Sequence, residues 1–236
     1  MCKLKSAIVL KNRIFVPDYD SHTKMLEELG IKDDYLNASK TFVRVELSPQ
    51  NGDVFSDIDT WGLNVDQDII PDWFDKETYK PQIADAVKAW AKDRIHIGVD
   101  NLEISAGESH YIKDCKNVSI YGSATVGNIG GSATVEYIGG SATVENIYGS
   151  ATVKNIYDST TVKYIYDSAT VENIYGSATV GKAYGSCVII GSKYGWNKKD
   201  TLILAENATF KDQETKTIYQ SGDWKLVNVK GGKINE

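Results

Sequence analysis

The sequence is poor in the residues that build disulfide frameworks and metal-binding motifs. It has three cysteines, three histidines and four prolines among 236 residues. Cys2, Cys115 and Cys187 form no paired motif, which predicts a reducing compartment and no disulfide framework. No run approaches the roughly 18 apolar residues of a transmembrane helix, so we expect no membrane-spanning segment.

We also expect neither a secretory signal nor a basic nucleic-acid-binding face. The apolar run at the start of the sequence is broken at Lys11 and Arg13, unlike the core of a signal peptide. The net charge is −6 and the pI is about 5.2, which argues against direct binding of nucleic acid. These features together predict a cytoplasmic protein.

Motifs that carry catalysis are missing as well. His22, His96 and His110 stand at no metal-binding spacing, and there is neither a cysteine-rich zinc pattern nor a nucleophile elbow. The segment GNIGG at 127–131 lacks the Lys-Ser/Thr pair and the strand-to-helix context of a phosphate loop. We therefore predict no cofactor, no metal ion and no enzymatic activity. The alternative is an enzyme whose site lies at the junction of the domains, lined by His96, His110 or several carboxylates.

What the sequence does contain is a nine-residue repeat, present seven times in succession from Tyr121 to Ala183. The units are YGSATVGNI, GGSATVEYI, GGSATVENI, YGSATVKNI, YDSTTVKYI, YDSATVENI and YGSATVGKA. Position six is always Val, position four is Ala or Thr160, and position nine is Ile or Ala183. A short and regular period of this kind indicates a stacked repeat architecture.

The repeat predicts a parallel β-solenoid. Apolar residues at intervals of two and three, among glycines and β-branched residues, form no helical stripe. In a strand, positions four and six face inward, positions three and five face outward, and position nine begins a second inward segment beyond a corner. Gly, or Asp158 and Asp167, suits a turn at position two. Two units give a flattened coil of about 18 residues, and three units give a triangular prism as the competing geometry.

Tyrosines at position one of the repeat form a further ladder, with gaps at Gly130 and Gly139. Two interpretations stay open. The ladder is either aromatic cladding that shields the corners of the solenoid or a binding stripe for a sugar or a partner protein. The candidate ladder residues are Tyr148, Tyr157, Tyr166, Tyr175 and Tyr184.

Two ligand-binding solenoids share features with the repeat. Calcium β-rolls repeat GGxGxDxUx, but Val here occupies the position of the Asp ligand, so we expect no calcium binding. Ice-binding solenoids display flat Thr-x-Thr faces similar to the outward Ser-x-Thr ladder, although a solvated strand face has the same composition. The bulky tyrosines and the large N-terminal region argue against ice binding.

Non-repetitive segments flank the repeats. Residues 1–98 predict an α+β domain whose expected role is to cap an open end of the solenoid, where unpaired backbone groups favour aggregation. Its predicted strands are 6–10, 13–16, 41–47 and 63–65, and its predicted helices are 21–29 and 80–95.

Residues 99–206 are assigned to the solenoid and residues 207–236 to a C-terminal cap. The cap is expected to hold a β-hairpin formed by strands 218–220 and 224–229. Phe210 and Trp224 are expected to plug this end of the solenoid.

The densest charge lies between residues 53 and 77, where eight acidic residues face one lysine. One interpretation is a solvated loop with structural carboxylates. The other is an acidic, aromatic surface that docks on a basic site of a partner protein. The candidate residues of this surface are Asp53, Asp57, Asp59, Trp61, Asp66, Asp68, Asp72, Trp73 and Phe74.

The repeat GSATVxNIY and the stretch VDQDIIPDWF at 65–74 resemble a loose group of uncharacterised proteins of phages, prophages and gut bacteria. Members of that group carry variable numbers of GNSTV- or GTATV-type repeats after an N-terminal region that ends in a PDWF- or PDWW-like segment. The matching pieces here are 65–74, 84–95 and the repeats. The resemblance implies a mobile-element origin, and no catalytic residue comes with it.

The sequence therefore predicts a non-enzymatic binding protein encoded by a phage or prophage. A specific form is an inhibitor of a host defence nuclease that presents its acidic segment as a decoy for phosphate. The expected partner is a protein with a basic nucleic-acid-binding site, and self-association stays open. The alternatives are a structural or adhesive virion component similar to a tail fibre, an ice- or carbohydrate-binding solenoid, and the enzyme described above.

Overall fold

The structure, a computed structural model, describes residues 5–107 and 109–220. The chain divides into two compact units between Ile95 and His96, close to the predicted boundary at 98. The first unit combines helices with an antiparallel sheet, and the second is built from two parallel sheets. The predicted fold, a parallel β-solenoid with an N-terminal α+β region, is confirmed.

The N-terminal unit contains a four-stranded antiparallel sheet in the order β2–β1–β3–β4. The first two strands form the predicted hairpin, with the turn at Lys11 and Asn12. The four strands are β1 (Lys5–Leu10), β2 (Arg13–Phe15), β3 (Phe42–Ser48) and β4 (Gly62–Val65).

The helices of this unit are α1 (His22–Glu28), α2 (Tyr35–Ala38) and α3 (Lys76–Ala91). The short α2 was not predicted. The predicted start of α3 at residue 80 was wrong by one turn, because Asp75 accepts a hydrogen bond from the Thr78 amide at 2.8 Å and caps the helix before Pro81. The predicted end at 95 was also too late, since Ile95 already belongs to a strand.

Strands of the second unit alternate between two parallel sheets. The seven-stranded sheet contains β5 (Ile95–Ile97), β7 (His110–Lys113), β9 (Thr125–Gly130), β11 (Thr143–Ile147), β13 (Thr161–Ile165), β15 (Thr179–Ala183) and β17 (Ile203–Leu204). The eight-stranded sheet contains β6 (Glu103–Ile104), β8 (Val118–Ile120), β10 (Thr134–Ile138), β12 (Thr152–Ile156), β14 (Thr170–Gly176), β16 (Val188–Trp196), β18 (Thr209–Asp212) and β19 (Thr217–Gln220).

Every coil of the repeat holds two nonapeptides. Thr143 pairs with Thr125 below it and with Thr161 above it, so each residue stacks on its counterpart 18 positions away. The flattened two-unit coil is thereby confirmed over the triangular prism. The residues 97–120 that precede the perfect repeats already form coils, because β6 and β7 pair in parallel with β8 and β9.

The strand within each repeat is placed differently from the prediction. It covers positions five to nine as one element, while positions two and three form the turn. Val144 and Ile147 are both fully buried although three residues apart, and the two residues between them face outward. The chain therefore does not turn the predicted corner between positions six and nine. It continues as one strand in which the alternation of buried and outward side chains is interrupted once.

Three positions of the repeat form the core of the solenoid, and because each coil holds two units they stack as six columns. Position four, position six and position nine are fully buried in all seven units, including the exceptions Thr160 and Ala183. Serines at position three are exposed, as expected for the turn. The interior of the seven repeats thus consists of Ala, Val and Ile with the one exception of Thr160, as the repeat predicted.

Position two of the repeat adopts a left-handed backbone conformation. Gly140 has φ +71°, and a Cβ at this position would lie 2.7 Å from the Gly122 carbonyl oxygen of the coil below. Asp158 has φ 59° and compensates for its strained backbone, since its carboxylate accepts a hydrogen bond at 2.9 Å from the Gly140 amide.

The C-terminal end continues the solenoid beyond residue 206. β18 stacks in parallel on β16, with Phe210 opposite Ile189, and β19 then folds back antiparallel to β18. Phe210 is buried against Trp196 and Tyr219, in agreement with its predicted role as a plug. The predicted strand 218–220 is confirmed, but it pairs with β18, while Trp224 and the predicted strand 224–229 lie outside the described residues.

No helix among residues 5–107 and 109–220 combines the length and the apolar character that crossing a membrane would require.

Candidate binding surface

The first half of the acidic segment has structural roles. Asp53 accepts a hydrogen bond at 3.0 Å from the Phe55 amide, and Asp57 accepts one at 3.1 Å from the Asp59 amide. Asp59 forms an ion pair of 2.6 Å with Lys88 of α3, which raises the pKa of that lysine. These three carboxylates are used for turns and packing, as the interpretation as structural carboxylates predicts.

Trp61 contributes nothing to an exposed surface, because its side chain is fully buried. Its indole nitrogen donates to the Ser56 hydroxyl at 3.0 Å within the same segment. The assignment of Trp61 to the candidate docking surface is therefore corrected. The buried ring anchors this polar loop to the core.

Trp73 and Phe74 form a half-buried aromatic cluster with Tyr79 of α3. The Phe74 and Tyr79 rings are stacked with centroids 5.2 Å apart, and Trp73 lies edge-on to Tyr79 at 5.7 Å. The Trp73 indole nitrogen donates to the Lys40 carbonyl oxygen at 2.7 Å. This cluster fixes the segment against the start of α3 and leaves only part of each ring accessible.

The second half of the acidic segment lines an open groove of about 470 Å³. Asp66 and Asp68 contribute from one side, directly after β4. Asp33 and Asp34, just before α2, and Tyr35, the first residue of this helix, contribute from the other side. We call this feature the acidic groove. Its other lining residues are Ala38, Arg44, Gln67 and Ile69.

The charge of the acidic groove is only partly compensated. Arg44 is ion-paired with Asp33, and Lys32 approaches Asp34 at 3.4 Å. The pKa of Asp34 is lowered mainly by the hydrogen bond from the Asn37 amide, so this carboxylate is ionised at neutral pH. Asp68 has no ion-pair partner among the residues that the structure describes. Asp72 is exposed as well, but lies outside the groove lining.

Sequence reasoning missed the side of the groove that residues 33–35 form. The tetrapeptide DDYL carries two acids followed by two large apolar residues, and both Tyr35 and Leu36 are strongly exposed, at 73% and 60%. The sequence signal for this side of the groove is the occurrence of two large apolar residues directly after two acidic residues. That these residues lie beside Asp66 and Asp68 follows from tertiary structure alone.

The tyrosine ladder of the solenoid consists of two stacks. Tyr148, Tyr166 and Tyr184 stack with centroid distances of 5.4 and 5.1 Å. Tyr157 and Tyr175 form the other stack, with centroids 4.5 Å apart and nearly parallel rings. Because the ring faces are occupied by one another, the geometry favours cladding over a stripe that presents free aromatic faces.

Glycine replaces tyrosine where a neighbouring ring needs the space. A Cβ at Gly130 would lie 2.6 Å from the Tyr148 ring, and a Cβ at Gly139 would lie 2.0 Å from the Tyr137 hydroxyl. Tyr137, from position eight, thus fills the gap in the second stack and lies 5.3 Å from Tyr157. Burial raises the pKa of Tyr137, and Asp158 adds to the shift.

Polar columns run along the outer faces of the strands. The Asn146 amide donates to the Asn128 side chain at 3.0 Å, and Lys154 pairs with Glu136 at 2.8 Å. Both partners lie one coil apart. In these columns the polar side chains of each coil form hydrogen bonds and ion pairs with those of the next coil. The resulting surface has alternating charge.

His96 and His110, which the enzyme alternative invoked, do lie together. Their rings are stacked, and His96 Nε2 lies 3.2 Å from His110 Nδ1, so one nitrogen donates and the other accepts. His110 Nε2 faces the Ala106 carbonyl oxygen at 3.4 Å. Both rings are thus engaged with neighbouring groups of the solenoid.

Comparison of the chain with protein-family models, with curated proteins and with solved structures found no match, so the functional assignment rests on the geometry of the acidic groove and the solenoid.

Proposed function

We propose that this protein is a non-enzymatic binding protein whose acidic groove docks on a basic surface of a partner protein. The observation that carries the proposal is the groove itself. Asp34, Asp66 and Asp68 line a concave surface whose margin holds the exposed Tyr35.

The composition of this surface fits a protein partner. Leu36 and Ile70, in the two segments that form the groove, are 60% and 48% exposed. Large exposed apolar side chains surrounded by polar ones are typical of interaction sites, because their burial drives association. The carboxylates add electrostatic complementarity, which accelerates encounter with a positively charged partner and selects against an acidic one.

A nucleic-acid-binding site is the basic surface that this groove fits best. Such a site presents Lys and Arg side chains to phosphates, and carboxylates held on a concave surface compete for the same groups. The resemblance of the repeats and of residues 65–74 to phage and prophage proteins supports a specific form. In it, the protein acts in the cytoplasm of a host cell and inhibits a defence nuclease.

The test uses charge reversal inside and outside the groove. The full chain, immobilised, is exposed to host lysate, and the dominant bound protein is identified and purified. We expect Asp68→Lys to weaken the affinity for the purified partner by at least about tenfold, because it places a cation opposite a cation. Glu172→Lys on the solenoid makes the same change of charge and should have little effect.

Two further results bear on the proposal. Tyr35→Ala and Leu36→Ala should raise the dissociation rate, since apolar contacts at an interface act mainly on dissociation. Retention of full affinity by Asp66→Lys and by Asp68→Lys, with circular dichroism showing intact folds, would eliminate the acidic groove as the docking site. Turnover of a substrate by the purified chain would contradict the non-enzymatic assignment.

A further inference from the structure

Three side chains from separate elements converge on the sheet of the N-terminal unit. His22 is the first residue of α1, Glu46 lies in β3, and Asp66 directly follows β4. Each offers one metal-ligating atom, and these three atoms all lie within 4.8 Å of one another. We call this group the His22 triad.

The backbone determines this convergence. Glu46 pairs with Asn64 across the β3–β4 ladder, and the Asp66 amide donates to the Arg44 carbonyl oxygen at 2.9 Å. Asp66 therefore lies diagonally opposite Glu46 on one face of the sheet. Ser21 caps α1, which begins at His22 and thereby fixes the position of the imidazole.

Glu46 is the unusual member of the triad. The residue is only 7% exposed, and within the described ranges 5–107 and 109–220 its carboxylate has neither a hydrogen bond nor an ion pair. A carboxylate with so little access to water is stabilised by a cationic partner, and a bound metal ion is one such partner. Arg44, the cation two residues away on the same strand, is ion-paired with Asp33 and does not serve this role.

His22 is oriented as a metal ligand is. Its Nε2 lies 3.1 Å from the Val45 carbonyl oxygen, and its Nδ1 lies 3.1 Å from Asp66 Oδ2. A metal-bound histidine usually donates its second ring N–H to a carbonyl or carboxylate, which fixes the tautomer and turns the other nitrogen toward the ion. Val45 supplies that carbonyl, so Nδ1 is the nitrogen directed at the two carboxylates.

We propose that the His22 triad binds a divalent transition-metal ion, with Zn²⁺ as the best match. One imidazole nitrogen and two carboxylate oxygens suit Zn²⁺ and its first-row neighbours, whereas Mg²⁺ and Ca²⁺ prefer oxygen ligands alone. Ligands about 2.1 Å from one tetrahedral ion lie about 3.4 Å apart. His22 Nδ1 and Asp66 Oδ2 are already 3.1 Å apart, so binding requires only small movements of the side chains.

Three protein ligands leave one coordination position open. Asp66 is the exposed member, with 52% of its side chain accessible, so the open position faces solvent on that side. The same carboxylate lines the acidic groove. The metal site goes beyond the proposed docking function and does not depend on it.

The test measures metal binding by the purified full chain, without any partner. Isothermal titration with Zn²⁺, after dialysis against chelator, is expected to show one saturable equivalent. Glu46→Gln and Asp66→Asn should each weaken binding by at least about tenfold, because each removes a ligand charge. Asp68→Asn removes a neighbouring charge that is not a ligand and should leave the affinity unchanged.

Controls separate this site from the other histidines and from misfolding. His96→Gln removes the only other close histidine pair of the described residues and should leave the single equivalent intact. Circular dichroism checks the fold of each variant, and Asp66→Asn, at an exposed position, tests the site even if Glu46→Gln fails to fold. The proposal is overturned if Zn²⁺ does not saturate the chain below about 1 mM, or if binding survives Asp66→Asn and is lost in His96→Gln.

Discussion

In the solenoid, the same few side chains recur in columns, whereas the core of residues 5–95 shows no such recurrence. Each buried valine of the solenoid touches the valine of the next coil, and each outward amide or charge has a counterpart 18 residues away. The core of the N-terminal unit instead combines unlike residues such as Met25, Phe42 and Trp61.

The two units also differ in how they treat buried charge. The repeats bury no ionised side chain at any of their three core positions. The N-terminal unit fully buries Lys5, which pairs with Asp20 at 3.0 Å and lies over the Trp90 ring, and it buries Glu46 without a partner among the described residues. The repeats build a stable core from a small set of residue types. The irregular N-terminal unit instead places individual polar side chains at unique positions, which a specific binding site requires.

The largest effect is expected from a charge placed in a solenoid column. Val153 is fully buried, and Val153→Asp should lower the free energy of unfolding by about 4 kcal/mol or more, because the carboxylate finds no partner. Denaturant unfolding followed by circular dichroism measures the loss. Thr152→Asp, one residue away on the outer face, should cost less than about 1 kcal/mol.

The equivalence of the columns sharpens this comparison. Val144→Asp should match Val153→Asp within about 0.5 kcal/mol, because both valines have the same neighbours one coil above and below. Unequal costs, or a cost below about 1 kcal/mol for either variant, would show that the core of the solenoid is not built from equivalent layers.

A smaller effect is expected at the turns between coils. Gly140→Ala should cost about 2 to 4 kcal/mol, since it adds a clash with the Gly122 carbonyl oxygen to the strain of a positive φ. Gly176 has φ +61°, but a Cβ added there would meet no atom closer than 3.7 Å, so Gly176→Ala should cost only about 1 to 2 kcal/mol. Thermal unfolding of the two variants gives the difference, and equal costs would contradict the close contact between coils.

Much of the solenoid could be predicted from the sequence, because residues at the same position of a regular repeat stack on one another in a column. The repeat alone does not decide between two and three units per coil, because both arrangements stack each Val on another Val. The charged residues at position seven of the repeat distinguish the two arrangements. When residues 18 positions apart stack on each other, Lys154 pairs with Glu136 and Lys163 pairs with Glu145. At a spacing of 27, Glu145 would meet Glu172, a repulsive pair.

The candidate sites could be predicted only in part. The acidic segment was recognised from composition, but its carboxylates divide into those that cap turns, such as Asp57, and those that line the groove, such as Asp68. That division depends on local geometry. The His22 triad joins residues 24 and 20 positions apart in the sequence, and no short motif encodes contacts made through a sheet ladder.

A stabilising change is expected at the one irregular core position of the repeats. The Thr160 hydroxyl is buried without a hydrogen-bond partner among the described residues, where six other units have Ala. Thr160→Ala should raise the free energy of unfolding by about 1 kcal/mol, because it removes an unsatisfied polar group. The reverse change, Ala151→Thr, should lower it. A loss of stability in Thr160→Ala would show that this column is not uniform.

The smallest effect concerns alkaline pH. Burial, and then the neighbouring Tyr184, raises the pKa of Tyr166 above its ordinary value of 10.0, so the folded chain favours the neutral hydroxyl. This stability is complete below about pH 10 and is lost as the pH rises through the folded-state pKa. Tyr166→Phe should therefore lose less stability than the wild type between about pH 9 and about pH 11, by well under 1 kcal/mol. Denaturation midpoints across this range measure the difference, with the exposed Tyr164→Phe as control.

Disulfide trapping tests the stacking of two nonapeptides per coil most directly. Glu145 and Lys163 are ion-paired at 2.7 Å on adjacent coils, so cysteines at these positions, in a chain without Cys2, should cross-link rapidly on mild oxidation. Cysteines at 145 and 172 should remain reduced, because a coil of two units keeps them in different columns. Cross-linking of 145 with 172 but not with 163 would contradict the account.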